Sequence, residues 1–555
     1  MKNIHLLSIT SAVFLSLYTS YMIYLDKYHP ILIVTWLSSV ILILLPGIFS
    51  QKFPPSFRLR TFFVPIIIAL IPPTILFLLF SPTRLHTDDT ILAYVSSTTD
   101  FIKSNFFSGF PQDKTVLISQ FPAPLYIIQK FFLSIFGHTI MGIKISNLPY
   151  SFLVSLFLYK ISRELFSDSI AIISVLLYGL FFPSLYLETL GVPYISSIAV
   201  FTVFLYLSIR SIKAPRYTDF LRLGIVCGLC FLFYYSSYIS IPLLFIVPLL
   251  TNSKSIQKKA VYLSLSLTGF ITIILPFFTH AYKFENLFTS RTSQVALVGG
   301  SWSSHKDEKI NLKERISLYV SNFKLSVKSL VQNNIGGAGG YNFGSLSFLN
   351  PTSLALSIIG GLIILIKSIK SPGYSIIILS MSLSFTTMAL AISPPGFHRF
   401  HISYPLFALT MSAAFSLITK PRHLVIKMAS IFIGALLIGR YSLENLSSFN
   451  RAARNEYNSQ YVQLADIINN QYLGRHIHVA SFPGFVFERV YFFKSSDKVL
   501  SIDTRYHDDY LNNFNRNEKY IYVMTMPEVF KEKFEQADQN GKYVNFSQDF
   551  GLFVN

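Results

Sequence analysis

Charged residues and cysteines are both scarce in this chain of 555 residues. Charged residues make up 13% of it and hydrophobic residues 52%, with a mean hydropathy of +0.49. Soluble domains carry about a quarter charged residues, so the deficit excludes a string of ordinary soluble domains and indicates a membrane protein with many spans. The two cysteines, Cys227 and Cys230, imply no disulfide framework. Because they lie inside an apolar run, their CGLC pattern indicates helix packing rather than a redox or zinc site.

Acidic residues are also few, 27 against 46 basic ones, which gives a net charge of +19. Such a charge can indicate nucleic-acid binding, but the basic residues cluster in short loops between apolar runs. If the N-terminus is cytoplasmic, these loops all lie inside, as the positive-inside rule requires. We therefore expect membrane lipids, and no nucleic acid, as partners. The inside loops carry Lys52, Arg58, Arg60, Lys160, Arg163, Arg210, Lys213, Arg216, Arg222, Lys254, Lys258, Lys259, Lys367, Lys370, Lys420, Arg422 and Lys427.

The apolar runs predict an all-α polytopic membrane protein with about thirteen transmembrane helices. The first run is about 20 residues long and no small-x-small cleavage site follows it, so we expect an uncleaved span rather than a secretory signal. The predicted spans lie near 6–25, 31–49, 61–80, 146–164, 169–187, 191–210, 220–236, 238–251, 260–280, 352–368, 373–392, 399–418 and 424–440.

The end of the chain has a different pattern. The stretches HIHVA (476–480), KVLSI (498–502) and KYIYVMT (519–525) predict short strands, and PEVFKEKFEQAD (527–538) predicts a helix. Strands that alternate with helices predict a small α/β domain outside the membrane. The predicted domains are two additional N-terminal transmembrane helices at 1–60, a main transmembrane domain at 61–440 with outside loops 81–145 and 281–351, and the extracytoplasmic α/β domain at 441–555.

Two adjacent carboxylates, Asp88 and Asp89, follow the apolar run 61–80. Carboxylates are expensive to desolvate near a membrane. The stretch TDDTILAYVSSTTDFI is typical of a helix start, where Asp caps the helix and acids stabilise the first turn. Two roles therefore stay open for the pair: a solvated helix cap, or a general base that faces a cavity.

The order of motifs after this pair resembles a known family. The chain continues with PAPLYIIQKFFLSIFG (122–137) and a span from SNLPYS (146–151) to YKISRELF (159–166), and PPGFHRFHISYPLFALTMSAA (394–414) comes late. This order resembles the GT-C membrane glycosyltransferases. It is most similar to the branch that contains protein O-mannosyltransferases and bacterial aminoarabinose–lipid A transferases. The resemblance covers roughly residues 61–440, which makes this the expected catalytic domain.

The resemblance implies a fold and an activity. We expect a glycosyltransferase that moves a sugar, with inversion, from a polyprenyl-phosphate donor to an acceptor hydroxyl on a glycan, lipid or protein. The reaction would take place on the extracytoplasmic face, in a bacterial cell membrane rather than the endoplasmic reticulum. Asp88 matches the first acid of the family's Asp-Glu pair, which acts as base toward the acceptor. Asp89 stands where the family more often has Glu.

The resemblance also implies substrate-binding residues. Glu188 matches a second acidic position in an outside turn, and Tyr126 belongs to the P-x-P-L-Y motif. Arg399 matches the basic residue near the lipid-linked phosphate, where a cation stabilises developing negative charge. His398 and His401 are one helical turn apart and share a face near it. An interfacial arginine that only snorkels is the alternative for Arg399.

The chain departs from the family at one motif. Aminoarabinose transferases tend to have Lys before the paired prolines, whereas this chain has Gln120 and Phe121, which argues against aminoarabinose as the sugar. No cofactor is required by the resemblance. A divalent cation, Mg²⁺ or Mn²⁺, stays open because Asp88, Asp89 and Glu188 offer hard oxygen ligands but do not fix a coordination shell.

Two other functions fit a chain of many spans. A flippase or exporter typically has charged residues at midspan and paired repeats, and the sequence has neither feature. An envelope polysaccharide polymerase or ligase shares the lipid-linked substrates but lacks the early acidic pair.

Overall fold

The computed structural model of the chain describes its residues in several ranges. These ranges are 2–49, 59–79, 92–93, 95–97, 99–104, 106–107, 123–190, 194–284, 294–301, 303–306, 308, 310–332, 346–392, 397–418, 424–453, 467, 470–471, 474–480, 501–505, 519–525, 527–537, 541–545 and 550–554.

Helices dominate the described residues. They are α1 Lys2–Tyr24, α2 Ile31–Phe49, α3 Leu59–Ala69, α4 Ile71–Leu78, α5 Phe101–Ser104, α6 Ala123–Phe136, α7 Ile140–Ile145, α8 Leu148–Leu165, α9 Asp168–Leu180, α10 Phe182–Thr189, α11 Tyr194–Lys213, α12 Tyr217–Phe231, α13 Ser240–Leu249, α14 Ile256–Phe284, α15 Leu312–Ser329, α16 Pro351–Lys370, α17 Pro372–Leu390, α18 Tyr404–Ala414, α19 Leu424–Ala453 and α20 Pro527–Ala537. Short 3₁₀ helices lie at Tyr235–Ile239, Phe397–Ser403 and Phe415–Leu417.

Within the described ranges, seven helices are long and apolar enough to cross a membrane, or eight if the bent pair α9–α10 is one span. Four further apolar helices are shorter, including Phe63–Leu78 and Tyr235–Leu249. The chain is therefore a multi-pass membrane protein, as predicted. The number of about thirteen spans is not confirmed.

The predicted span 169–187 is broken. The axes of α9 and α10 differ by 55°, and Pro183 in the first turn of α10 has no N–H to donate. The backbone N–H of Phe182, freed at the break, donates to the side-chain oxygen of Asn445 at 2.8 Å. The hydroxyl of Tyr441 donates to the carbonyl of Leu177 at 2.7 Å. Helix α19 thus satisfies backbone groups that lipid could not satisfy.

Glycines let two pairs of helices approach to backbone contact. A Cβ on Gly360 of α16 would lie 1.7 Å from the carbonyl oxygen of Thr410 on α18. A Cβ on Gly224 of α12 would lie 1.8 Å from the carbonyl oxygen of Ser266 on α14. Small residues at such crossings are the usual means of close packing between membrane helices.

The two N-terminal helices pack against α14. The hydroxyl of Ser16 donates to the carbonyl of Thr272 at 2.8 Å, and the indole N–H of Trp36 donates to the carbonyl of Ile273 at 3.1 Å. The ring of Trp36 also packs edge-on against Phe277, with centroids 5.6 Å apart. Buried indoles need such a partner for their N–H, so this contact fixes how α2 sits on α14.

Three of the loops predicted to lie inside meet at one end of the helices. The ammonium of Lys213 lies 3.3 Å from the Glu164 carboxylate. The ammonium of Lys367 lies 4.8 Å from the ring centroid of Phe166. These contacts agree with loops on one side of a membrane. Which side is cytoplasmic stays a prediction.

The chain divides into two compact units. The first is Met1–Ser81, Asp100–Ile127 and Asn147–Arg454, and the second is Pro82–Thr99, Ile128–Ser146 and Asn455–Asn555. The domain boundaries predicted at 60 and 440 stay predictions.

The second unit contains a five-stranded sheet in the order β2-β1-β3-β5-β4. Strand β1 is parallel to β2 and β3, and β5 is antiparallel to β3 and β4. The predicted small α/β domain is thereby confirmed. The sequence did not predict β4 and β5. The strands are β1 His476–Ala480, β2 Ser501–Arg505, β3 Tyr520–Thr525, β4 Lys542–Asn545 and β5 Phe550–Val554.

Candidate functional site

A cavity of about 450 Å³ lies in the first unit, at the end of α17. Its walls come from the turn before α13, the last turns of α17, the segment at 295–296 and the 3₁₀ helix at 397–403. Aromatic and aliphatic side chains form most of this lining, as in many ligand sites. The lining residues are Tyr234, Tyr235, Ser236, Tyr238, Ile239, Pro242, Val295, Ala296, Leu383, Thr387, Met388, Leu390, Ala391, His398, Arg399 and His401.

A short antiparallel pairing forms one wall of the cavity. The N–H of Leu297 donates to the carbonyl of Leu390, and the N–H of Ile392 donates to the carbonyl of Val295, both at 2.8 Å. Ala296 and Ala391 face each other across this pairing. The chain just beyond α17 is therefore held in an extended form that the helix alone does not specify.

Asn322, a buried residue of α15, supports the same wall. Its side-chain amide donates to the carbonyls of Ala391 at 2.7 Å, Ala389 at 3.1 Å and Met388 at 3.3 Å. The last carbonyls of a helix have no partner within the helix. Asn322 supplies that partner, and so couples α15 to the end of α17.

Arg399 lies on the cavity wall and is half-buried. One of its guanidinium N–H groups donates to the carbonyl of Ile392 at 2.9 Å, which ties the side chain to the segment after α17. Among the described residues that line the cavity, Arg399 alone carries a permanent positive charge. A guanidinium in apolar surroundings is a strong partner for a phosphate oxygen.

His401 connects three elements around the cavity. Its Nε2 lies 2.6 Å from the Ser236 hydroxyl and 3.0 Å from the Ser197 hydroxyl. Its Nδ1 is hydrogen-bonded to the carbonyl of His398. A carbonyl only accepts, so Nδ1 donates to it, while Nε2 is within hydrogen-bond distance of both serine hydroxyls. The imidazole thus holds the 3₁₀ helix at 397–403 against α11 and the turn before α13.

His398 also lines the cavity, where its ring stacks on Tyr194 with centroids 5.6 Å apart. The structure thus brings together three residues predicted to bind substrate: His398, Arg399 and His401. That they bind substrate stays a prediction.

Glu188 and Tyr126 are buried and are not among the residues that line this cavity. The Glu188 carboxylate is 3% exposed and accepts hydrogen bonds from Tyr178 at 2.5 Å and Ser184 at 2.8 Å. It bridges α9 and α10, and so stabilises their bend. The ring of Tyr126 stacks on Phe101 with centroids 5.0 Å apart. Their predicted contact with substrate is not tested.

The predicted catalytic pair, Asp88 and Asp89, lies outside the described residues. Within the described ranges, no group of three or more His, Cys, Asp or Glu side chains could hold a metal ion. Because two of the three proposed metal ligands are not described, the divalent cation stays a prediction.

Sequence reasoning missed the residues that shape the cavity around His401. Tyr234 lies 5.5 Å from the His401 ring, centroid to centroid, and Ser236 and Ser197 bond to it. The run YYSSYIS (234–240) is the signal that could have found them. It places hydroxyl groups in the middle of apolar sequence, where polar side chains need partners.

Comparison with known proteins adds two findings. Residues 120–280 match the model of the dolichyl-phosphate-mannose-protein mannosyltransferase family. No curated protein sequence matches the chain.

Solved structures are similar to this one over most of its length. ArnT from Cupriavidus metallidurans, solved bound to undecaprenyl phosphate, is 10% identical, covers 90% of this chain and 98% of its own, and has a TM-score of 0.55. The chain has the fold of the GT-C glycosyltransferases. ArnT in the apo state gives the same values. An Archaeoglobus fulgidus oligosaccharyltransferase is 13% identical and covers 88% of this chain and 74% of its own, with a TM-score of 0.47.

The GT-C fold confirms the resemblance drawn from the motif order. The family match covers part of the region where these motifs lie, including PLYIIQKFFLSIFG and SNLPYS. The late motif around Arg399 lies outside that match, so its likeness to the family stays a prediction.

Proposed function

We propose that this protein transfers a sugar from a polyprenyl-phosphate donor to an acceptor hydroxyl, with inversion, on the extracytoplasmic side of a membrane. The observation that carries the proposal is the Arg399 guanidinium in the wall of a mostly apolar cavity. An apolar cavity with one fixed cation suits an amphiphile with an anionic head. The GT-C fold and the bound undecaprenyl phosphate of ArnT support this choice of donor.

The reaction needs charge stabilisation on one side and a base on the other. The bond between the sugar C1 and the phosphate oxygen breaks, and a bond forms between C1 and the acceptor oxygen. The bonding pair stays on the departing phosphate, which changes from a phosphodiester to a phosphomonoester and gains negative charge. Arg399 stabilises that charge in a site of low polarity, where electrostatic interactions are strongest.

The acceptor hydroxyl loses its proton as it attacks. We assign this proton to the carboxylate of Asp88 or Asp89, which the sequence places just after a predicted span. General base catalysis of this kind contributes about 10²–10⁴-fold to the rate. Removal of the correct carboxylate is therefore expected to reduce transfer by about that factor.

Sugar transfer by purified protein in nanodiscs tests the proposal. The donors are polyprenyl phosphates that carry a radiolabelled neutral hexose, and membrane extract from the source cells supplies the acceptor. The readout is label that leaves the lipid donor for another molecule. Asp88→Asn and Asp89→Asn are compared with Asp168→Asn. Asp168 is exposed and pairs with Arg163 at the end of the helices remote from the cavity, which makes it a matched control.

The proposal is supported if Asp168→Asn retains sugar transfer and either Asp88→Asn or Asp89→Asn loses it. Movement of intact labelled lipid between the leaflets of proteoliposomes, with no new glycosylated product, favours a flippase. Transfer at the native rate in both Asp88→Asn and Asp89→Asn contradicts the assignment of the base and favours a polymerase or ligase.

A further inference from the structure

Helix α15 is too polar to span a membrane and yet exposes a row of apolar side chains. Five of its 18 residues are charged, and it is not one of the helices apolar enough to cross a membrane. At 100° per residue, six apolar residues, each between 41% and 74% exposed, fall within one sector of about 100°. These residues, called the α15 stripe, are Leu312, Ile316, Val320, Phe323, Val327 and Val331, the last just beyond the helix end.

The side of α15 that packs against the protein is polar. Asn322, Ser326 and Ser329 are buried on it, and Asn322 bonds the last carbonyls of α17. This distribution is the reverse of a helix on a soluble domain, which buries its apolar face and exposes its polar one. The α15 stripe therefore faces an environment that is itself apolar.

The contacts of α15 place it at the level where two spans end. Asn322 meets the end of α17, and the carbonyl of Leu330 accepts from the N–H of Leu349, just before α16 begins at Pro351. The eight-residue step from Asn322 to Leu330 covers about 12 Å along the helix, which is close to the 8–10 Å between the axes of neighbouring helices. This part of α15 therefore runs from one span end to the next, along the membrane boundary.

Three lysines follow the edge of the stripe. At 100° per residue, Lys313, Lys324 and Lys328 lie between one edge of the stripe and about 60° beyond that edge. All three are exposed. Lysines beside an apolar face are typical of helices that lie in an interface with anionic lipid. Two stripes in contact across a symmetric dimer would bring these like charges together, which argues against a second copy as the partner.

We propose that α15 lies in the lipid–water interface at the cavity end of the helices, with the α15 stripe among the acyl chains and the three lysines at anionic headgroups. Because Asn322 holds the segment that carries Met388 and Ala391, both of which line the cavity, the bilayer becomes the support of one cavity wall. The proposal does not depend on the chemistry of the reaction.

Spin-label accessibility in lipid vesicles tests this placement. Nitroxides are attached at Ile316→Cys and Val320→Cys on the stripe, and at Ser317→Cys and Ser321→Cys, which are exposed and lie 100° further round the helix, on the flank that carries Lys324 and Lys328. The native Cys227 and Cys230 are fully buried, and labelled wild-type protein gives their background. The vesicles contain phosphatidylcholine with phosphatidylglycerol. We expect collisions with oxygen, relative to a water-soluble nickel complex, to be severalfold higher at 316 and 320 than at 317 and 321.

Nickel accessibility at 316 and 320 equal to that at 317 and 321 would place the stripe in water and overturn the proposal. Protection from both reagents would mean that protein covers the stripe, which also overturns it.

The lysines are tested by the triple variant Lys313→Gln, Lys324→Gln, Lys328→Gln. Phosphatidylglycerol should increase the ratio of oxygen to nickel collisions at position 320 in the Val320→Cys protein. It should have less effect when the three lysines are also replaced. An equal response in both contradicts the role of the lysines.

Discussion

Single buried polar side chains set the backbone geometry around the cavity and at the bend between α9 and α10. Asn322 satisfies the end of α17, Asn445 satisfies the break between α9 and α10, and His401 links the 3₁₀ helix at 397–403 to α11 and to the turn before α13. Each acts where a backbone group or a hydroxyl would otherwise be buried without a partner, which costs about 1–3 kcal/mol. The local geometry of the site therefore depends on a few hydrogen bonds more than on general apolar packing.

His401 offers the most direct test of this view. His401→Ala removes the hydrogen-bond partner of the Ser236 hydroxyl and the donor to the His398 carbonyl, and we expect it to destabilise the fold by about 1–3 kcal/mol. His305→Ala is the control, because the pair that His305 forms with Glu308 is at the surface and such pairs contribute about 0–1 kcal/mol. Thermal unfolding in detergent measures both. Equal unfolding temperatures for the two variants would contradict the prediction.

Glu444 ties α19 to the start of α16 beyond the apolar part of α19. Its carboxylate accepts from the N–H of Thr352 at 3.1 Å, from the Thr352 hydroxyl at 2.9 Å and from Arg440 at 2.8 Å. Partial burial raises the pKa of this carboxyl, but the hydrogen bonds and the Arg440 charge outweigh burial and place the pKa below its ordinary value of 4.5. The carboxylate therefore stabilises the fold only while it is ionised.

The Glu444→Gln variant should be less stable than wild type at neutral pH, by about 1 kcal/mol as for other helix caps. A carboxyl with a lowered pKa in the folded state contributes its full stability above the unfolded pKa and loses it as the pH falls through the folded pKa. The difference between the two proteins should thus hold from pH 7 down to about 4.5 and shrink below that. Unfolding temperatures across this range measure it. A difference that widens on acidification would refute the assignment.

At the scale of helices, close approach depends on particular glycines. Gly360 and Gly361 are neighbours in α16, but a Cβ on Gly361 would lie 3.7 Å from the Thr410 side chain, an ordinary contact, against 1.7 Å from the backbone oxygen for Gly360. Helix propensity favours alanine by about 1 kcal/mol at both positions. Only the packing against α18 distinguishes them.

Gly360→Ala should therefore lower the unfolding temperature, because α16 must move away from α18, at a cost of about 1–3 kcal/mol typical of overpacking. Gly361→Ala should leave the unfolding temperature unchanged or raise it. Because the two substitutions are chemically identical and adjacent, the pair controls for every effect except the contact. Equal loss in both variants would show that propensity or lipid contact dominates.

The sequence predicted the existence of the helices and strands better than it predicted their boundaries and bends. Apolar length predicted the spans, and the three strands predicted at 476–480, 498–502 and 519–525 overlap β1, β2 and β3. The 55° bend between α9 and α10 was not predicted, although Pro183 is visible in the sequence, because the partner that satisfies the break is Asn445, 263 residues away from Phe182. Strands β4 and β5 were also missed.

At the scale of the whole molecule, the motif order led to the correct fold, but the cavity could not be read from the chain. Its lining comes from four segments between 234 and 401, and their meeting depends on tertiary packing. The motif around Arg399 predicted one wall, and the Tyr-Ser run at 234–240 supplied another that was missed. The position of Asp88 and Asp89 relative to this cavity stays a prediction.

Helices α11 and α17 relate the cavity to the basic loops. Tyr194 at the start of α11 stacks on a cavity histidine, whereas Lys213 at its end pairs with Glu164. In α17, Tyr374 packs near Phe166 and Met388 lines the cavity. The cavity and the predicted cytoplasmic loops are thus at opposite ends of the same helices, about 30 Å apart for a 20-residue helix. This separation agrees with chemistry on the side away from the positive loops.

The most direct test of the central claim is the equilibrium affinity of the protein in nanodiscs for a polyprenyl monophosphate. Arg399→Gln is compared with wild type and with Lys370→Gln. Lys370 is an exposed cation at the last residue of α16, among the predicted cytoplasmic loops, so its removal controls for the change of charge alone. A charge-assisted contact contributes about 1.5–3 kcal/mol. We predict that Arg399→Gln binds about 10- to 100-fold more weakly and that Lys370→Gln binds as wild type does. Equal affinity for all three proteins would contradict the claim that Arg399 receives the lipid phosphate.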